Sequence, residues 1–205
     1  NPECAQPSVA PGSFTGDTIY LCAADSDGNA VSLIQSNYMG FGSGLVVDGA
    51  GIVLQNRGAY FSLNPEAANA LAPSKRTLHT LIPSLAMRDG RPAMVFGTMG
   101  GDGQPATHLQ VYTAVARFGL NIQAAIEMPR WVHGAEAQGE GEVVRVESRF
   151  PAATLSGLRA RGHEVREIGP WDSMVGHAQG IVIDTENGVF HGGADPRAEG
   201  IAAGW

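Results

Sequence analysis

Apolar and polar positions alternate with a period of two over residues 18–24 (TIYLCAA) and 30–36 (AVSLIQS), and the residues between them, DSDGN, hold an Asp-Gly step. Two β-branched or aromatic runs around Asp-Gly predict a hairpin. Further strand patterns fall at 51–56 (GIVLQN), 93–97 (AMVFG), 143–147, 163–168 (HEVREI), 178–183 (AQGIVI) and 188–193 (GVFHGG). After residue 105 the period lengthens to that of a helix. Leu109, Val111, Tyr112, Val115, Ala116 and Phe118 fit a helix begun after Pro105 and stopped at Gly119. A short helix fits 122–128, closed by Pro129. Another fits 151–161, with Pro in its first turn and Gly162 just past its end. The Asn-, Ala- and Pro-rich stretch 63–75 reads as a surface loop, and residues 1–17, with three prolines, as an extended lead-in. Two strand-rich parts around a helical middle predict an α+β layered sandwich.

Composition narrows the function classes. Thirteen Lys and Arg against 20 Asp and Glu give a net charge of -7, which argues against a nucleic-acid partner. No apolar run approaches the ~20 residues of a membrane span. With 43% hydrophobic and 16% charged residues the chain has the makings of a core, and 205 residues suit one domain or one large half of a two-chain fold. Cys4 and Cys22 make neither a disulfide framework nor a zinc site; Cys22 reads as a small buried hydrophobe. The lack of disulfide signals favours the cytoplasm over the periplasm and leaves the compartment open. The chain starts Asn-Pro-Glu, without Met or a leader pattern, and reads as the downstream part of a longer precursor. The six histidines show no metal-ligand spacing, and there is no G-x-S-x-G, P-loop or H-E-x-x-H. Glycine, at 28 residues, is about twice its usual ~7% share.

Candidate chemistry concentrates at Gly16-Asp17-Thr18, where the first strand opens. A Thr hydroxyl there can attack its own upstream carbonyl. Cleavage then leaves a free α-amine, with a pKa of about 7.7–8.0, able to act as base for the same residue's hydroxyl. Locally, a strand-opening β-former explains Thr18 as well.

The segments TIYLCAADSDGNAVSLIQS, FGSGL, GIVLQNRGAYFS, KRTLHTLIPS, GTMGGDGQP and GGADPRAEGIAAGW, in this order from Thr18 to Trp205, resemble the small subunit of γ-glutamyltransferases, members of the N-terminal-nucleophile hydrolase superfamily. The resemblance implies an αββα four-layer sandwich and a precursor that cuts itself between Asp17 and Thr18. Residues 1–17 would be the tail of the large-subunit region or the propeptide junction, and 18–205 the catalytic small-subunit domain. The partner would be the large subunit from the same precursor, in a heterodimer or a dimer of heterodimers. Carried over residue by residue, Thr18 matches the nucleophile and Ser36 a Thr that hydrogen-bonds it. Gly100 and Gly101 match the pair whose N–H groups form the oxyanion hole. No cofactor and no metal are implied.

The departures bear on substrate. Where the family holds the glutamate α-ammonium with Asn, Gln and Asp, this chain has Tyr38, Arg57 and Tyr60; paired serines become His79 and Thr80. No carboxylate remains there for an ammonium, whose burial unpaired is costly. The pattern looks more like the γ-glutamyltransferase-like branch that includes cephalosporin and glutaryl acylases. The expected function is therefore an autoprocessing amidohydrolase or acyltransferase that cleaves a γ-glutamyl or glutaryl-like amide through acyl-Thr18. A true γ-glutamyl transferase acting on glutathione-like donors and an unprocessed, non-enzymatic subunit remain alternatives. Among other polar residues, Asp195 and Arg197 read as a turn closing the last strand, His108 as packing or capping, and Asp102 as an acceptor of backbone N–H groups in the glycine loop. Trp131, Trp171 and Trp205 read as packing residues.

Overall fold

The computed structural model describes residues 18–133 and 143–205. Nine strands and three helices are formed by these residues: β1 (Thr18–Ala24), β2 (Ala30–Ser36), β3 (Ser84–Arg88), β4 (Arg91–Met99), α1 (Gln104–Ala116), α2 (Ile122–Glu127), β5 (Trp131–His133), β6 (Val143–Glu147), α3 (Ala152–Ala160), β7 (Glu164–Ile168), β8 (His177–Asp184) and β9 (Val189–Ala194).

The hairpin β1–β2 lies on one face of an antiparallel sheet ordered β3-β4-β8-β9, and α1 and α2 pack against that sheet. The main core sits between sheet and helices, where Met94, Phe96 and Ala178 meet Val111, Ile122 and Ile126. Burying each large apolar side chain contributes roughly 1.5–3 kcal/mol. A second sheet, β5-β6-β7, carries α3, whose Leu155 packs on Val144 and Val146. The architecture is α+β, with sheet, sheet and helix layers formed by the described residues.

The hairpin's approach to the sheet depends on one glycine. Tyr20, the buried inward residue of β1, lays its ring across Gly97 of β4; a Cβ there would come within 2.3 Å of the ring. Tyr20 Oη and Ser32 Oγ are hydrogen bonded at 2.8 Å across the hairpin. The opposite face carries Ile19, Leu21, Val31 and Leu33, all between 41% and 62% exposed. Leu21 pairs with Leu33 in register, so these side chains form one apolar surface.

The hairpin, β4, β6 to β9 and all three helices follow the sequence pattern within a few residues at their ends. Three points differ. The strand expected at 51–56 is reduced to a single bridge, Val46 to Val53, in a glycine-rich loop. β3 escapes the pattern because Leu85 and Met87 point outward while Ser84 and Ala86 point in, inverting the usual alternation. β5 is only three residues long. Trp131 packs on the second core cluster and Trp171 stacks on Arg149, its ring centroid 3.4 Å from the guanidinium carbon. Trp205, expected to pack, is fully exposed at the end of the chain.

Asp195 and Arg197 do more than shape a turn. Asp195 accepts from the Ala178 N–H at 2.8 Å and is ion-paired with Arg130. Arg197 donates to Glu147 at 2.6 and 2.8 Å, and to the carbonyls of Ile126 and Met128 at 3.1 and 2.9 Å. Burial pushes the Glu147 carboxyl up, but donation from Arg197 and the Arg130 N–H outweighs it and holds the group below its ordinary range. Arg130 is pushed down to about 10 by burial, against the pull of Asp195. This buried network ties β6, β8, α2 and the segment after β9 together. It fixes the root of the final stretch 198–203, which returns to line a cavity beside Thr18.

Candidate functional site

Thr18 is the first residue of β1 and Ser36 the last of β2, directly paired in register. An antiparallel hairpin with a short turn puts its two open ends side by side, so the 25–29 turn determines that residues 18 apart meet. Thr18 Oγ1 lies 2.8 Å from Ser36 Oγ. Ser36 Oγ also accepts the Tyr38 N–H at 2.9 Å and Arg57 Nη2 at 2.9 Å. Arg57 is buried, and its guanidinium carbon stands 5.0 Å from the Tyr38 ring centroid. Among the described residues no carboxylate pairs with it. Tyr38 adopts φ 77°, rare for a bulky residue, and its ring meets Tyr60 at 4.8 Å between centroids.

Tyr60 Oη donates to Asp102 at 2.6 Å. Burial and this bond to a carboxylate raise the Tyr60 phenol above its usual range. Asp102 sits between Gly101 and Gly103 in a 3₁₀ turn that follows β4. Its partner is thus a phenol rather than the backbone N–H groups expected for it. A chain of contacts therefore runs from Thr18 through Ser36, Arg57, Tyr38 and Tyr60 to the glycine turn.

The glycine turn follows directly on β4, whose last residue reaches the same cavity as Thr18. Tyr20 lies over Gly97; two residues back along β1 and two forward along β4, Thr18 and Met99 line one cavity of about 440 Å³. Gly100 and Gly101 follow immediately, with φ 139° and 54°. As first residues of a helical turn, their N–H groups have no acceptor within it. The cavity also takes in His177, Gln179, Gly193 and Ile201, but none of Tyr38, Arg57, Tyr60, His79 or Thr80. Burial lowers His177 from its ordinary value.

His79 is exposed, and its Nδ1 accepts the Leu81 N–H at 3.3 Å, apart from the Tyr38–Arg57–Tyr60 cluster. Thr80 is held through its backbone. With the Gln104 amide turned so that both carbonyls are satisfied, its nitrogen donates to Thr80 O at 2.6 Å and Thr98 O at 3.1 Å. Two residues that the sequence pattern passes over matter here. Gln104, buried at the start of α1, ties the 79–80 loop to the end of β4. Gly176 backs onto Gly100, a contact with no local signal because its partner is far away in sequence. His108 is buried against Phe96, with Nδ1 3.1 Å from Ser84 Oγ, as expected of a packing residue. Asp17 and Cys4 lie outside the described residues. Among the described residues no group of three or more His, Cys, Asp or Glu side chains could hold a metal ion. Nor is any helix among them long and apolar enough to cross a membrane.

A hairpin that packs on a sheet backed by helices, with Thr18 and Ser36 paired at its open end, has the form of an N-terminal-nucleophile hydrolase. Residues 4–205 match the family model described as Gamma-glutamyltranspeptidase, and the chain belongs to that family. It is 46% identical over 188 residues to the Glutathione hydrolase-like YwrD proenzyme of Bacillus subtilis, covering 92% of this chain and 36% of the relative. It is 42% identical over 216 residues to the Oxamate amidohydrolase proenzyme of Klebsiella pneumoniae, covering 100% and 40%. Among solved structures, the cephalosporin acylase from Bacillus halodurans superposes with a TM-score of 0.81 at 48% identity, covering 91% of this chain and 34% of that one. The chain thus spans between 34% and 40% of the length of these relatives.

Proposed function

We propose that this chain is the nucleophile-bearing part of an autoprocessing amidohydrolase, with 18–205 as the catalytic subunit and 1–17 as the end of the upstream region. The observation that carries the reading is the 2.8 Å contact between Thr18 Oγ1 and Ser36 Oγ, beside a cavity that Thr18 shares with Met99, the residue before Gly100. In processing, Thr18 Oγ adds to the Asp17 carbonyl carbon and the Asp17–Thr18 C–N bond breaks. The hydroxyl proton ends on the released amine. Water hydrolyses the resulting ester, leaving Thr18 with a free α-amine. In turnover Oγ bonds to the substrate carbonyl carbon while its proton passes to that amine. The Gly100 and Gly101 N–H groups hold the oxyanion, and the proton leaves with the departing amine. Water then cleaves the acyl-Thr18 ester.

The acyl pocket is read from Tyr38, Arg57 and Tyr60. A buried cation and two phenols suit an uncharged or anionic acyl group and disfavour an α-ammonium. The name of the Klebsiella relative, an oxamate amidohydrolase, fits an anionic acyl group. The name of the Bacillus relative, a glutathione hydrolase-like proenzyme, supports the second reading, a γ-glutamyl donor. Release from a glutaryl anilide and from a γ-glutamyl anilide, measured on the full-length protein, separates them. Faster release from the glutaryl compound is expected; clear preference for the γ-glutamyl compound removes the pocket argument.

The relatives' names as proenzymes support a two-subunit product. The apolar face of Ile19, Leu21, Val31 and Leu33 is then the surface that the upstream subunit covers.

A further inference from the structure

Arg57 sets a fixed positive charge two hydrogen bonds away from Thr18. Its Nη2 donates to Ser36 Oγ at 2.9 Å, and Thr18 Oγ1 donates to the same oxygen at 2.8 Å. Nη2 is therefore no more than about 6 Å from the Thr18 hydroxyl, and within about 10 Å of the nitrogen of the same residue. Arg57 is buried and its guanidinium faces the Tyr38 ring. Among the described residues no carboxylate is ion-paired with it. A guanidinium keeps its charge throughout the pH range in which enzymes work.

Cleavage before Thr18 turns this nitrogen from an amide into an amine, the base that is to take the Oγ proton. In water such an amine has a pKa of about 7.7–8.0, so at neutral pH most of it is protonated and cannot act. A nearby cation disfavours the protonated form and lowers that value. One unit charge at about 10 Å, in the effective dielectric of a protein site, lowers it by about one unit. The amine then passes from mostly charged to more than half free at pH 7.

The other titratable groups facing Thr18 supply no such charge. β1 contributes Tyr20 and Cys22, both raised by burial and so neutral. β2 ends in Ser36 and β4 in Met99, neither of which titrates. β8 contributes His177, which burial lowers and holds neutral. Behind it, Asp195 is offset by Arg130 and Arg197. Glu199, on the stretch after β9, lines the same cavity but is exposed, so solvent screens its carboxylate. Asp102 is exposed as well and accepts from Tyr60.

We infer that Arg57 is a positioning residue that acts through its charge: it keeps the α-amine of mature Thr18 unprotonated at neutral pH, ready to accept the Oγ proton. The inference rests on the reading of Thr18 as nucleophile. It is distinct from gripping an acyl group, because the charge acts on the amine before any substrate arrives.

The amine can be titrated directly. Full-length wild type, R57Q, R57K and T18A are left to mature and treated briefly with acetic anhydride at a series of pH values. The peptide that begins at Thr18 is quantified by mass, with the Lys75 peptide as internal reference. Only the unprotonated amine reacts, so the midpoint of labelling is its pKa. Wild type and R57K are expected to titrate about one unit below the ordinary value of about 7.7–8.0. R57Q, which keeps donors but carries no charge, is expected to return to the ordinary range. The acid limb of kcat/KM for a glutaryl anilide should move up with it by the same amount. A wild-type midpoint at the ordinary value overturns the inference. So does a lowered midpoint that R57Q leaves in place, since burial alone is then the cause. The wild-type midpoint decides even where a variant does not mature. A wild type that yields no peptide beginning at Thr18, or cleavage that persists in T18A, instead removes the nucleophile reading itself, so the two failures are distinct.

Discussion

Gly100 and Gly176 stand back to back. A Cβ on Gly100 would lie 3.0 Å from the Gly176 Cα, and one on Gly176 would lie 2.4 Å from the Met99 carbonyl oxygen and 2.6 Å from Thr98 Oγ1. Gly176 has φ 82°, so a side chain there is strained as well as crowded. The amides proposed to face the oxyanion are therefore set from behind, by a residue entering β8. Gly176→Ala should push the Met99–Gly100 peptide forward and tilt both amides. A loss of about a hundredfold in kcat is expected, the scale of one oxyanion donor, with KM little changed. Steady-state kinetics of the mature enzyme, with a melting curve for the fold, checks it.

Ser36 is proposed to orient Thr18 through its hydroxyl, and a Thr at the same position would supply a hydroxyl on the same carbon. Ser36→Thr should therefore process and turn over within about threefold of wild type, while Ser36→Ala should lose about tenfold or more. The time course of chain cleavage for both variants decides the matter. Equal rates in Ser36→Ala and wild type would remove Ser36 from the mechanism.

Much of this architecture is legible in the sequence because its signals are local. The Asp-Gly turn fixes the β1–β2 register, and that register alone brings Ser36 to Thr18. The period change after Pro105 gives α1, and the glycine run before it gives the 3₁₀ turn between β4 and α1. What was not legible depends on distant partners. Asp102 is held by Tyr60, 42 residues away, and not by its own loop. Gly176 matters only for what lies behind it. β3 inverts its alternation, with Leu85 and Met87 on the exposed side, so no period-two count finds it. Arg57 and Tyr38 are legible as departures from a family pattern, yet their shared contact with Ser36 needs three dimensions.

The buried Arg197–Glu147 pair, with side chains 0% exposed on both sides, makes a stability prediction. Arg197→Met leaves Glu147 without its main cation and exposes the carbonyls of Ile126 and Met128 to an apolar neighbour. A loss of about 3–5 kcal/mol is expected from breaking one side of such a pair. Adding Glu147→Gln should restore part of it, since the orphaned charge is then gone. Urea unfolding of the single and double variants gives the comparison.

His108 supplies a pH dependence. Burial lowers its pKa from 6.5 to about 4, so the native state keeps it neutral where the unfolded chain takes up a proton. Between those values the unfolded state binds more protons. Stability from this residue is complete above the unfolded value and falls as pH drops from about 6.5 to 4, by up to about 3 kcal/mol. In His108→Gln that part of the acid slope should vanish. Denaturation midpoints at pH 7 and pH 5, compared between the two proteins, show whether it does.

The central claim is that Thr18 cuts its own chain and thereby becomes the nucleophile. Intact-mass measurement of the full-length protein, wild type beside Thr18→Ala, tests it most directly. The wild type should resolve into two chains whose masses place the break between Asp17 and Thr18, and Thr18→Ala should stay whole. A wild-type protein that is folded yet remains a single uncut chain, or a Thr18→Ala variant that splits at the same bond, contradicts the account.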